Sequence, residues 1–424
     1  MTEKTLADAL NRSCHCINVD QDALRQTLEA RFGQRGAYAR LRETHPNLLA
    51  DAPVFVSREH IARMQAVIDA VEALVTLPRY RDAVLGWAPD IACATTGPHG
   101  VFFGYDFHLT NDGPRLIEIN TNAGGALLLL HVAGAQQACC DEVEQFIVGA
   151  ADLDNVEDSF VRMFREELDA VRPGQELRCI AIVDEDPHAQ YLSPEFELFR
   201  ELFAAQGIDA LIAEPADFRI EGDRLLAADR VVDLVYNRLT DFYLQAESSD
   251  VLEAACRSGY AVFTPGPGTH ALYANKRNLT LLCDGQALRA AGADHGTVET
   301  LSRATPQTEL VTQDNADALW ARRKQLFFKP VWGFGSRGAY KGAKLTKKTW
   351  SSILEAEYVA QELVPPGERL LVADGEHHTM KVDIRCYVYR GETQLLGARM
   401  YRGQTTNFRT DGGGLAAVFT TPVL

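Results

Sequence analysis

The stretch Gly104-Tyr-Asp-Phe-His-Leu-Thr-Asn-Asp-Gly-Pro-Arg-Leu-Ile-Glu-Ile-Asn-Thr-Asn-Ala-Gly-Gly125 decides which fold the sequence predicts. Residues 111–114 are turn formers, and they separate two short segments of strand-like sequence. Because Asn-Asp-Gly-Pro is a strong reverse-turn signal, the stretch predicts a β-hairpin.

The second strand of this hairpin carries polar side chains among apolar ones. Side chains alternate between the two faces of a strand, which predicts Leu116, Glu118 and Asn120 on one face. Ile117 and Ile119 are then expected on the opposite face. Glu118 and Asn120 should therefore lie side by side.

A third oxygen ligand is available from the first strand of the hairpin. Asp106 joins Glu118 and Asn120 if the register of the two strands is right, and such a set of oxygens suits Mg²⁺. The small residues of the following loop, Thr121 to Gly125, allow a ligand to approach the backbone closely. The same pattern is equally typical of an edge hairpin whose polar residues face solvent.

The composition is that of a globular protein too long for one compact core. The 424 residues are 46% hydrophobic and 24% charged, which favours two or three domains. A net charge of −16 argues against non-specific nucleic-acid binding. No membrane span or signal core is visible, so we expect a cytoplasmic protein without a membrane partner; a homodimer is compatible with this composition. Neither Cys14-His-Cys16 nor Cys139-Cys140 has the spacing of a zinc site.

Patterning divides the chain into four regions of mixed helix and strand. We expect an α+β or α/β protein. Its first two parts are a mainly helical region at 1–94 and a region at 95–150 that contains the hairpin and an apolar helix over 127–138. A Rossmann-like region at 151–265 follows, and the last region, 266–424, carries most of the binding motifs.

The Rossmann-like region is predicted from a strand, helix and strand in succession. The apolar run Cys179–Val183, an amphipathic helix over 196–206 and a second run over 210–213 imply a parallel β-α-β unit. Asn237 and Arg238 follow a further strand, at the edge where open parallel sheets bind ligands. Arg238 is either a clamp for a carboxylate or phosphate of the substrate, or an ordinary surface arginine.

Two lysines and a glycine-rich loop predict a phosphate-binding site in the last region. Lys276 opens a short helix, and Lys329 ends an apolar strand. The loop that follows presents free backbone N–H groups suited to phosphates. Its candidate residues are Gly333, Gly335, Ser336 and Gly338, and a plain flexible loop is the alternative.

A strand followed by a proline-rich turn predicts a hinge that can recognise an adenine base. Backbone groups in such a hinge can bond to the edge of the base, and Glu368 can hold ribose hydroxyls. The hinge residues are Gln361, Glu362, Leu363 and Val364.

Two later segments supply candidate clamps for anions. Arg385 lies in the alternating strand that begins at Lys381, and Asn407 and Arg409 lie in the segment that ends at Gly414. Arg385 is either such a clamp or a structural ion-pair partner.

The order of these motifs resembles the ATP-grasp superfamily. The helix lysine, the strand lysine with its glycine loop, the hinge, the Asp383-Ile-Arg385 strand and the Asn-Phe-Arg segment occur in family order. The metal element that usually ends the family's chain lies near the start here, which resembles the circularly permuted arrangement of eukaryotic glutathione synthetases and glutathionylspermidine-synthase-like proteins. The resemblance covers about 95–125 and 230–424. It implies that residues 266–424, together with the hairpin, form the lid and core of the fold.

The resemblance implies ATP and Mg²⁺ as cofactors and small-molecule acid and amine substrates. It implies nucleotide contacts from Lys276, Lys329, the glycine loop and the hinge, and metal ligands at Asp106, Glu118 and Asn120. Lys329, Arg385 and Arg409 would stabilise charge on the transferred group. Substrate contacts are expected from Thr121, Asn122, Gly124, Asn237, Arg238, Asn407 and Arg409.

The chain departs from glutathione synthetases at two positions. No acidic residue stands in the segment Val331-Trp-Gly333, and Gly104 replaces an arginine before Tyr105. These departures argue against glutathione as the product. The expected activity is an ATP-dependent carboxylate–amine ligase; a phosphotransferase on the same fold and a non-catalytic ATP-binding protein are the alternatives.

Overall fold

The computed structural model describes residues 3–15, 17–94, 99–138, 153–333, 335, 337–373 and 376–421. It contains helices and strands, with a run of helices over 267–304 and a run of strands over 358–420. The helices span Glu3–Ser13, Gln21–Arg31, Ala37–Thr44, Arg58–Val75, Pro78–Leu85, Ile91–Ala94, Ala126–Gly134, Leu153–Val171, Ser193–Ala205, Asp250–Ser258, Pro267–Tyr273, Leu279–Leu282, Gly285–Ala291, His295–Ala304, Ala316–Arg322 and Lys347–Leu354.

Twenty strands form five sheets in the described residues. They are β1 (Ile17–Val19), β2 (Val54–Val56), β3 (Phe103–Thr110), β4 (Gly113–Asn120), β5 (Gln136–Ala138), β6 (Cys179–Val183), β7 (Asp209–Ala213), β8 (Phe218–Glu221), β9 (Arg224–Ala227), β10 (Arg230–Val231), β11 (Leu234–Asn237), β12 (Val262–Thr264), β13 (Thr308–Leu310), β14 (Leu326–Pro330), β15 (Tyr340–Lys341), β16 (Tyr358–Glu362), β17 (Gly367–Ala373), β18 (Glu376–Tyr389), β19 (Glu392–Tyr401) and β20 (Gly414–Thr420).

The largest sheet joins the predicted hairpin to the end of the chain. Its strand order is β2-β20-β19-β18-β3-β4, and β17 also pairs with β18. The 14-residue strand β18 pairs with β17 along its first half and with β3 along its second half. Residues 103–120 therefore complete a sheet whose other long strands lie beyond residue 366. We call this the core sheet.

The hairpin is confirmed, but its alternation differs from the expectation. A β-bulge between Asp106 and Phe107 in the pairing of β3 with β4 shifts the register by one residue. Leu116 and Ile119 consequently pack into the same apolar core, while Glu118 and Asn120 remain together on the other side. The expectation that Leu116 shares a face with Glu118 is wrong.

Two smaller sheets flank the core sheet. The first contains β12-β11-β6-β7, all parallel, which confirms the β-α-β unit. The second contains β13-β16-β14-β15, all antiparallel, and we call it the lid sheet. The lid sheet has its own small apolar core around Phe328 and Trp350.

The described residues of the N-terminal region are mainly helical. Ser57 caps the helix Arg58–Val75 by accepting a hydrogen bond from the His60 amide. One expected helix is shorter than predicted: it ends at Gly134, because the following residues pair as β5 with β1. No helix of the described residues combines the length and the apolar character needed to cross a bilayer.

Candidate nucleotide-binding site

A cavity of about 320 Å³ lies between the lid sheet and the core sheet. This volume is within the range of small-molecule sites. Most of the residues predicted for phosphate, base and metal binding line it. These are Asp106, Glu118, Asn120, Lys276, Lys329, Gly333, Gly335, Gln361, Glu362, Leu363, Val364 and Glu368.

The end of the cavity near the hairpin brings acidic and basic groups together. Lys329 Nζ lies 3.9 Å from Glu118 Oε2 and donates to the Ile117 carbonyl at 2.9 Å. Lys276 donates to the Gly333 carbonyl at 2.6 Å, which ties it to the glycine loop. Segments that are distant in sequence thus meet at one point.

The charges of this cluster shift one another's pKa values. Burial acts to raise the pKa of Glu118, but Lys276, Lys329 and two arginines outweigh it and hold the pKa at about 2. Burial lowers the pKa of Lys329 to about 8, although Glu118 opposes this change. At neutral pH Glu118 is an anion and Lys329 is mainly a cation.

Asp106 is not free to bind a metal ion in this structure. Its two oxygens accept hydrogen bonds from Arg385 Nε at 2.6 Å and from Arg385 Nη2 and Arg399 Nη2 at 2.8 Å. Asn120 donates a further bond at 3.1 Å. The register of β18 with β3 sets Arg385 directly opposite Asp106, so the expected metal ligand is a buried ion-pair partner.

Sequence reasoning missed Arg399, which faces the cavity between two carboxylates. It bonds Asp106 through Nη2 and Asp383 through Nε, each at 2.8 Å. Burial opposes its charge, but these carboxylates raise its pKa well above the ordinary value. The position of Arg399 among the apolar residues of β19 was a signal that could have identified it. However, counting residues from the turn at Gly391 pairs Asp383 with Ala398. A bulge near Tyr387 shifts the pairing to Arg399.

The donor set left for a metal ion is Glu118 and Asn120. The Asn120 side-chain nitrogen donates toward Asp106 and Glu118, at 3.1 and 3.4 Å, so its oxygen is directed away from both carboxylates. Mg²⁺ is often held by one or two protein oxygens together with phosphate oxygens, so this set fits the ion. The described residues contain no cluster of three or more His, Cys, Asp or Glu side chains placed to bind a metal.

The residues of the predicted hinge lie along one wall of the cavity. The amides of Glu362 and Leu363 donate to the carbonyls of Gln307 and Gln325. The Val364 carbonyl accepts a bond from His108 Nδ1 at 2.8 Å. These bonds fix the backbone of the hinge against both neighbouring sheets.

The glycine loop meets the cavity at Gly333 and Gly335. Gly338 lies outside the lining, and a Cβ atom there would approach the Tyr358 hydroxyl to 3.0 Å. Gly338 has a φ of +68°, which explains the choice of glycine. Ser336, also predicted to bind phosphate, lies outside the described residues.

The residues predicted to contact substrate after the hairpin make structural contacts, and Thr121 and Asn122 also line a second, small pocket that Lys276 and Gly333 share. Arg238 Nη1 donates to the Asn122 carbonyl at 2.7 Å, and Asn122 donates back to the Leu239 carbonyl. A Cβ on Gly124 would lie 2.4 Å from the Arg238 guanidinium. Arg238 is 7% exposed and is therefore neither a surface arginine nor part of the cavity lining.

The other predicted substrate residue of the parallel sheet is also internal. Asn237 accepts from the Leu239 amide and donates to the Pro265 carbonyl. Thr121 is buried and bonds to His270 at 3.1 Å. These contacts join the hairpin loop to the parallel sheet.

The predicted catalytic arginines do not line the cavity. Arg385 is 8% exposed and is held by Asp106, so the structural alternative for it is supported. Arg409 is exposed, and the Asn407 side chain is used by the Arg409 amide and the Arg402 carbonyl. The neighbouring Thr405 and Thr406 line the cavity instead.

Comparison with solved structures identifies the fold. No protein-family model and no curated protein matches the sequence. A glutathione synthetase-like effector from Globodera pallida, in its apo form, matches over 95% of this chain and 98% of its own, with a TM-score of 0.57 and 11% identity. The chain has an ATP-grasp-type fold.

Two further structures resemble this chain less closely. A putative gamma-glutamylcysteine synthetase from Methylobacillus flagellatus KT covers 81% of this chain and 84% of its own, with a TM-score of 0.45 and 12% identity. The ATP-grasp ligase PsnB, solved with a minimal precursor, Mg and ADP, covers 58% of this chain and 90% of its own, with a TM-score of 0.29 and 13% identity.

Proposed function

We propose that this protein is an ATP-dependent carboxylate–amine ligase that forms an amide bond and releases ADP and phosphate. The observation that supports this most is the meeting of Glu118, Lys329 and Lys276 at one end of a cavity between two β layers. The residues of the predicted hinge line the same cavity. We also infer that the early hairpin is a circularly permuted part of the fold, because β3 joins β18 within one sheet.

The proposed chemistry needs charge stabilisation more than a protein nucleophile. The acid's carboxylate oxygen attacks the γ-phosphorus of ATP, the bond to the β–γ bridging oxygen breaks, and ADP leaves. The amine nitrogen then attacks the carbonyl carbon of the acyl phosphate. Phosphate leaves with the electrons of its C–O bond, and the amine proton passes to solvent.

Three side chains of this protein would serve these steps. Lys276 and Lys329 would bind and orient the phosphates, and Arg399 presents positive charge to the same cavity. Buried carboxylates hold Arg399, so it is already positioned before the substrate arrives. We propose for Arg399 the role that was expected of Arg385 and Arg409.

The metal-binding role is proposed for two residues. Glu118 and Asn120 would hold Mg²⁺, which supplies charge neutralisation for the phosphates when bound. Asp106 would not be a metal ligand. It would hold Arg399 and Asn120 in position through its hydrogen bonds to them.

An ADP-release screen over paired acids and amines tests the proposal. We expect ADP formation that requires MgATP, one acid and one amine, with the Glu118→Gln variant as the blank. ADP formation with a single acceptor and no amine would identify a phosphotransferase instead. MgATP binding without turnover over a broad panel would indicate a non-catalytic nucleotide-binding protein.

A further inference from the structure

The lysines of this protein are concentrated around the nucleotide cavity and the lid. Eight of the nine lysines lie between positions 276 and 381. The lid segment 305–362 carries nine Lys and Arg residues against six Asp and Glu residues, although the whole chain has a net charge of −16. The lid is therefore a positive surface on an acidic protein.

Five of these lysines run from the cavity to the outer surface of the lid. Lys381 and Lys341 line the cavity, on the core sheet and the lid sheet respectively. Lys344 is exposed just beyond β15, and Lys347 and Lys348 are exposed at the start of the next helix. We call these five residues the lysine track.

In the residues that the structure describes, the five lysines of the lysine track form no ion pair, although Glu362, Glu368 and Asp383 also line the cavity. Among the lysines in the described part of the chain, Lys329 alone forms an ion pair. Burial and the ammonium groups of Lys341 and Lys344 lower the pKa of Lys381, while Glu368 partly opposes them. The free protein thus holds like charges on both sides of the cavity mouth, and these charges attract an anion.

Helix stability does not account for the outer lysines. Lys347 and Lys348 occupy the first turn of the helix Lys347–Leu354, which has no acidic residue in that turn. The helix dipole disfavours positive charge there. Lys347 also lies over the Trp320 ring, 5.3 Å from its centroid, so it extends along the lid surface.

We propose that the lysine track binds an acidic peptide, and that this peptide carries the carboxylate that is activated in the cavity. This inference rests on the proposed ligase function and names the class of its acid substrate. An extended peptide with several carboxylates matches a row of ammonium groups that starts inside the cavity and continues outside it. A nucleic acid is a poorer match, because the negative charge of the remaining surface repels a long polyanion.

Binding of a fluorescent hexaglutamate peptide tests the proposal, with anisotropy measured at low salt. The test variant is Lys344→Glu/Lys347→Glu/Lys348→Glu, whose positions lie outside the cavity lining. The matched control is Arg178→Glu/Arg224→Glu/Arg230→Glu, which changes the charge equally at exposed positions near the parallel sheet. ADP binding is measured for each protein to show that the cavity is intact.

We expect the lysine variant to bind hexaglutamate about tenfold more weakly than the wild type, while the arginine variant differs by less than about twofold. Added salt should weaken binding by the wild type and by the arginine variant. Equal losses in both variants, no binding by the wild type, or tighter binding of a single-stranded oligonucleotide of equal charge would each overturn the proposal. A protein that binds hexaglutamate but not ADP would refute the ligase function, which is a separate outcome.

Discussion

Replacing Glu118 with glutamine keeps the shape of the side chain and removes the carboxylate that lies 3.9 Å from Lys329 in the cavity. Cations around Glu118 lower its pKa from an ordinary 4.5 to about 2. A shift of this size corresponds to about 3 kcal/mol of favourable interaction at neutral pH. Because 27% of the side chain is exposed, solvent screening makes this figure an upper bound.

The free energy of unfolding should therefore fall by up to about 3 kcal/mol at pH 7 in Glu118→Gln. A lowered carboxyl pKa gives stability that is fully present above pH 4.5 and is lost as the pH falls towards 2. The difference in the free energy of urea unfolding between the wild type and Glu118→Gln should therefore decrease as the pH falls from 4.5 towards 2.

Nucleotide binding gives the sharper test, because the sign of the effect depends on the role of Glu118. Without metal, loss of a negative charge beside the phosphates should strengthen ADP binding, by about tenfold for an effective dielectric near 20. Mg²⁺ should increase the ADP affinity of the wild type, and the variant should lack this increase. Isothermal titration calorimetry with ADP, in Mg²⁺ or in chelator, measures both effects.

The exposed lid residue Glu355 provides a matched control, since Glu355→Gln makes the same change outside the cavity. It should leave ADP binding unchanged with and without Mg²⁺. If Glu118→Gln retained the full Mg²⁺ enhancement, or bound metal-free ADP more weakly than the wild type, Glu118 would not be a metal ligand.

Three further predictions concern the same site and its supports. In the free protein Lys329 has a pKa of about 8, so ADP affinity should fall as the pH rises through 8, by up to about tenfold per pH unit. In the same calorimetry, the ADP affinity of Lys329→Arg should not change over that pH range. Arg399→Gln leaves two buried carboxylates short of a partner and should lower the free energy of unfolding by about 3–5 kcal/mol in urea, with part of the loss restored by adding Asp383→Asn. Gly124→Ala forces a Cβ to within 2.4 Å of the Arg238 guanidinium and should destabilise the fold by about 1–3 kcal/mol, yet a folded variant should bind ADP normally; a selective loss of ADP binding would contradict the structural role of the loop.

Local sequence signals located the hairpin and the parallel strands correctly. The turn residues at 111–114 and the apolar run Cys179–Val183 act through backbone conformation and side-chain periodicity, which short windows contain. The same signals placed Glu118 and Lys329 among the candidates. Their meeting at 3.9 Å follows from the packing of the lid sheet against the core sheet and not from any local pattern.

The predicted site and the structure differ where the partner of a side chain comes from another strand. Asp106 has the composition of a metal ligand, but the strand register pairs it with Arg385. Arg399 was missed because a bulge near Tyr387 changes which residue faces Asp383. A shift of one residue reverses the face of a strand, and short sequence windows do not encode that shift.

By itself, the sequence determined which segments fold as strands, helices and turns, and which side chains can carry charge into a phosphate site. Only the tertiary structure decided which of those charges neutralise one another and which face the cavity. The reason is physical: an ion pair depends on distances of about 3 to 4 Å between residues remote along the chain, and packing of the sheets sets those distances.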